Sequence, residues 1–61
     1  MKVETRTVIT YNPTNDIEQA TFMKVKNTLL NANFELVDVS KPILGNEIEV
    51  TFKIVINEDE W

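Results

Sequence analysis

Residues 47–56 read Glu-Ile-Glu-Val-Thr-Phe-Lys-Ile-Val-Ile. Ile48, Val50, Phe52, Ile54 and Ile56 fall on one side of this segment, and Glu47, Glu49, Thr51, Lys53 and Val55 on the other. A period of two sustained over this length predicts a β-strand with one dry face and one mostly wet face. A chain of 61 residues has few ways to cover such a face. The strand therefore constrains the fold more than any other segment.

The means of covering it are limited by composition. One domain is expected over residues 1–61, near the lower limit for independent folding. Apolar residues make up 43% and charged residues 26%, a globular balance. There is no cysteine and no histidine. Disulfide staples are excluded, and so are the commonest zinc ligands. Stability must come from packing within the chain or against another chain, which is a reason to expect an oligomer.

Upstream, residues 2–11 are rich in β-branched residues and predict a first strand. Val3, Thr5, Thr7, Ile9 and Tyr11 share one face; Lys2, Glu4, Arg6, Val8 and Thr10 share the other. Asn12-Pro13 ends the strand, because proline cannot donate to a ladder. Asn15 with Glu18 fits a capping box, with Thr14 as the competing cap. Asp16 and Glu18 then lie where a helix dipole favours negative charge.

A helix is predicted over 15–32. Ile17, Thr21, Phe22, Val25, Thr28, Leu29 and Ala32 form the arc expected to cover the sheet. Met23 and Leu30 are seven residues apart and lie away from that arc. Asn33 is suited to the left-handed conformation that terminates a helix. Residues 34–40 predict a second strand with ambiguous faces. Pro42 and Gly45-Asn46 mark the next connection, and Gly45 should supply a positive φ. Residues 57–61 read as an acidic tail ending in Trp61.

A strand–helix–strand crossover leaves its two strands parallel. The third strand, longest and most apolar, is expected between them. The expected class is α+β: a β-α-β-β domain with a split β-α-β, mixed three-stranded sheet and one helix on one face. An order with the second strand in the middle is the alternative. Such a sheet has a second face and two open edges, and open edges invite pairing with another chain. On the face away from the helix, Val8, Val55 and Val37 or Val39 could form the centre of a contact.

Chemistry is sparse. Glu47 and Glu49 share a face with Glu35 nearby, but acid–base catalysis needs carboxylates held in a cleft. A solvated strand face explains them. Ser40 is the only serine, with no histidine or cysteine to activate it. Asn12, Asn15, Asp16 and Glu18 lack the spacing of a calcium loop and fit helix capping instead. One glycine cannot make a phosphate loop. No catalytic residue, cofactor or metal site is expected.

A net charge of −4 disfavours direct nucleic-acid binding. No apolar run is long enough to span a bilayer. The first ten residues do not read as a signal peptide, and a cytoplasmic location is expected. The chain begins with Met and reads as a complete small gene product. Its composition is similar to that of short acidic proteins of bacteriophages and mobile elements.

The functional expectation is a non-enzymatic protein-interaction protein acting on itself as a homo-oligomer or on a protein partner. Candidate contact residues are Met23, Leu30, Val8, Val55 and Trp61. Met23 and Leu30 are either ordinary exposed residues or a helix–helix contact. Trp61 either belongs to a loose tail or anchors in a pocket. The alternative is an acidic inhibitor that imitates nucleic acid before a DNA-binding protein, through Glu35, Asp38, Glu47, Glu49, Glu58, Asp59 and Glu60.

Overall fold

The computed structural model describes residues 1–41 and 45–58. Four elements follow one another: β1 (Lys2–Tyr11), α1 (Asp16–Asn31), β2 (Glu35–Ser40) and β3 (Ile48–Asn57). The sheet order is β1-β3-β2. The class is α+β and the third strand is central, as the alternation implies.

The sheet is not mixed. β3 is antiparallel to β1 and to β2. The helical crossover does leave β1 and β2 pointing the same way. They never bond to each other, because β3 lies between them, so both ladders are antiparallel.

β1 and β3 pair without irregularity from Lys2↔Asn57 to Tyr11↔Ile48. Directly opposite residues share a face. Val3, Thr5, Thr7, Ile9 and Tyr11 therefore lie with Ile56, Ile54, Phe52, Val50 and Ile48. On the other ladder Leu36 pairs with Phe52 and Val39 with Val50, with a register shift between Leu36 and Asp38. The extra residue, Val37, resolves the ambiguous alternation of this segment: it lets Leu36 and Val39 share one face.

The core is small. Tyr11, Phe22, Val50 and Phe52 are buried, with Ile9, Leu29, Phe34 and Ile48 packed around them. Phe52 is 0% exposed. The Tyr11 and Phe22 rings stack at 4.2 Å and 8°, and Phe22 meets Phe52 at 6.4 Å and 40°. Such aromatic pairs add about 0.5–1.5 kcal/mol beyond the area they bury.

Both helix ends are closed by their own residues. The Asn15 side chain accepts from the N–H groups of Ile17 (3.0 Å) and Glu18 (3.1 Å). Glu18 does not close the expected capping box. Its carboxylate accepts from the Asn12 N–H at 3.1 Å, because the Asn15 N–H is already donated to the Asn12 carbonyl. Thr14 does not cap; its N–H and hydroxyl both donate to the Asn12 side chain. At the other end Asn33 takes φ 72°. Its N–H donates to Leu30 and that of Phe34 to Leu29, the paired bonds of a Schellman end.

The buried face of the helix is narrower than the expected arc. Phe22 is its one fully buried residue and Leu29 is half-buried. Ile17 is 78% exposed. It lies in the first turn, before α1 has passed over the sheet. The expected tail also begins later: Asn57 ends β3, and Glu58 exchanges backbone hydrogen bonds with Met1. Gly45 has φ +98°, as its turn position requires.

Phe52→Ala should cost about 3–5 kcal/mol. In so small a domain that abolishes a cooperative urea transition, whereas Ile17→Ser should shift stability by under about 0.5 kcal/mol. Asn15→Ala should cost about 1 kcal/mol and lower Tm by roughly 4–8 °C. Thermal unfolding followed by circular dichroism checks it, with Asn15→Asp as the neutral control.

Candidate interaction surface

α1 and the sheet are mismatched in length. Sixteen helical residues span about 24 Å. Ten strand residues span about 33 Å. The helix also sits closest to β1 among the strands. It encloses the Tyr11–Ile48 end of the sheet and leaves the rest of the same face bare.

The bare part is apolar. Val3 and Ile56, at the far end, are exposed. On β2, Leu36 is 46% and Val39 50% exposed, although they pair with the buried Phe52 and Val50.

The candidate contact residues fall in three places. Met23 and Leu30 are exposed on α1, away from the Phe22 side. Val8 and Val55 are exposed on the face opposite the helix, but they do not meet. Val8 pairs with Thr51 and Val55 with Glu4, so four residues of β3, about 13 Å, separate them. Arg6 and Lys53 pair between them. Val39 pairs with the buried Val50 and lies on the helix side, so it does not join Val8 and Val55 on the open face. Trp61 lies outside the described residues.

Leu36, Val3 and Ile56 were not among the candidates, and Val39 was one only for the open face. Their signal was the length comparison between one helix and the two long strands, which alternation alone does not express.

The open face is mixed in charge. Glu4 lies 3.4 Å from Arg6 and 3.7 Å from Lys53. Both are partly exposed pairs of the kind worth under about 1 kcal/mol. Among the described residues, no three His, Cys, Asp or Glu side chains group as a metal site. The residues Asn12, Asn15 and Glu18 are occupied in the helix cap, as above. Two shallow depressions are present. One, of about 260 Å³, is lined by residues from Pro13 and Thr14 and from Gly45 to Ile48. The other, of about 220 Å³, is lined only by β1 and α1: Ile9, Thr10, Tyr11, Glu18, Thr21, Phe22 and Val25. No helix among the described residues is long and apolar enough to cross a membrane.

No protein family, curated protein or solved structure matches this chain.

Because Val8 and Val55 share no contact, the effects of Val8→Ser and Val55→Ser on unfolding free energy should add to within about 0.5 kcal/mol. A larger coupling in a double-mutant cycle would place the two valines in one cluster.

Proposed function

We propose that this chain is a non-enzymatic protein-interaction protein that assembles with further copies of itself. The observation that carries this reading is the bare apolar part of the helix-side sheet face: Leu36, Val39, Val3 and Ile56. Leu36 and Val39 pair with Phe52 and Val50 of the core, and Val3 pairs with Ile56 on the same face, so one layer is partly enclosed and partly in water. Exposed apolar side chains gathered on one face of a sheet favour an interaction site. The small core supports the same reading, because a domain this size gains most of its missing stability from a partner. Met23 and Leu30 add exposed apolar side chains on α1.

The acidic-mimic reading gains nothing comparable. Glu35 pairs with Lys53 across the ladder, and Glu4 sits between Arg6 and Lys53. Positive groups interrupt any ordered row of carboxylates on that face.

Sedimentation velocity over a range of concentrations should show reversible association, with Tm rising as protein concentration rises. Val3→Glu should weaken association about ten- to a hundredfold, since a buried valine contributes about 1.5–3 kcal/mol. A wild-type chain that sediments as a monomer throughout, with a concentration-independent Tm, would overturn the proposal.

A further inference from the structure

The two edges of the sheet are unequal. β2 is six residues long and carries the register shift, a combination that discourages pairing. β1 is ten residues long, regular, and among the described residues bonds only to β3. It is the edge on which another strand can dock.

The ladder fixes which residues face that edge. The Met1 amine donates to the Glu58 carbonyl at 2.7 Å, and the Glu58 N–H to the Met1 carbonyl at 2.9 Å. Antiparallel pairs alternate between those that exchange both bonds and those that exchange none. Counting from Met1, the odd residues of β1 bond to β3. Lys2, Glu4, Arg6, Val8 and Thr10 turn their N–H and C=O groups outward.

A second copy of β1 meeting this edge about a two-fold axis must pair even residues with even residues. The axis therefore passes through a residue, never between two. With Glu4 on the axis, Glu4 faces Glu4 and Arg6 faces Lys2. With Arg6 on the axis, Arg6 faces itself. Like charges directly opposite are destabilising. An axis at Thr7 leaves every charge facing a neutral residue. An axis at Val3 overlaps only residues 1–5.

With Thr5 on the axis, Glu4 of each copy faces Arg6 of the other, over an overlap of residues 1–9. Val3 then faces Thr7, and Met1 faces Ile9. Met1 is 70% exposed and, as an odd residue, lies on the helix side. Opposite Ile9 it meets the 220 Å³ depression that Ile9, Tyr11, Phe22 and Val25 line, with no β3 residue among its walls. The charge pairing and the apolar recess thus select the same register independently.

Resting on the self-association proposed above, we infer that two copies join by antiparallel β1–β1 pairing with Thr5 on the two-fold axis, giving a continuous six-stranded sheet. Glu4–Arg6 and Lys2–Val8 exchange both backbone bonds across the seam. Thr5 faces Thr5 without bonds, at a Cα separation of about 4.5 Å, which a disulfide can bridge.

The chain has no cysteine, so single-cysteine variants report the register directly. In oxidised glutathione, Thr5→Cys should cross-link to a covalent dimer at least about tenfold faster than Thr7→Cys, whose counterpart is Val3. Glu4→Arg should raise the dimer Kd by about tenfold or more, and Glu4→Arg with Arg6→Glu should restore it. Circular dichroism of each variant confirms that the monomer fold survives. If the wild-type chain associates but residue 5 cross-links no faster than residue 7, or the charge exchange fails to restore pairing, this inference is overturned and self-association stands. If the wild-type chain is monomeric throughout, both fall.

Discussion

Everything in this fold hangs from one aromatic clamp. Phe22 reaches down from α1 between Tyr11 of the edge strand and Phe52 of the central strand. It is the only fully buried residue that the helix contributes. The clamp fixes where the helix touches the sheet, and hence which part of the sheet stays dry. With no disulfide and no metal to share the burden, the few side chains around it carry most of the tertiary stability.

A single helix cannot extend that protection far. A helix rises about 1.5 Å per residue and a strand about 3.3 Å. The two long strands outrun α1 even though it has more residues. The clamp lies at the Tyr11–Ile48 end, so the deficit accumulates at the Val3–Ile56 end and on the flanking strand β2. The resulting apolar surface is a consequence of geometry, not of a separate cluster of hydrophobic residues. The β1 edge beside it has outward backbone groups, alternating charges and an adjoining recess. Together these are the features on which the proposed pairing with another copy rests.

Much of the fold was legible. The alternation of Ile48 to Ile56 placed a central strand. Asn12-Pro13 and Asn33 bounded the helix, and the length and apolarity of the third strand pointed to its central place. Each is a local signal backed by a backbone constraint. The parts that misled were those in which one residue's role depends on a distant neighbour. Glu18 has the spacing of a capping box, yet the Asn12 carbonyl had already taken the N–H it was meant to bond. Ile17 sits on the apolar arc, yet lies before the helix reaches the sheet. Val37 and Val39 could not be assigned to faces until the bulge was located.

The candidate surface was less legible for the same reason. Met23, Leu30, Val8 and Val55 were chosen because they break a pattern within their own element. Val3 and Ile56 obey their patterns and read as core, while Leu36 and Val39 lie in a segment whose faces alternation left ambiguous. By itself the sequence determined the periods and the chain reversals and pointed to a central β3, because these follow from spacing and residue type. Only the tertiary structure decided which dry-face residues are left in water, which residues of β1 turn their backbone outward, and that Val8 and Val55 stand apart. Those depend on ladder register and on where a short helix comes to rest against longer strands, and neither quantity is encoded in any one segment.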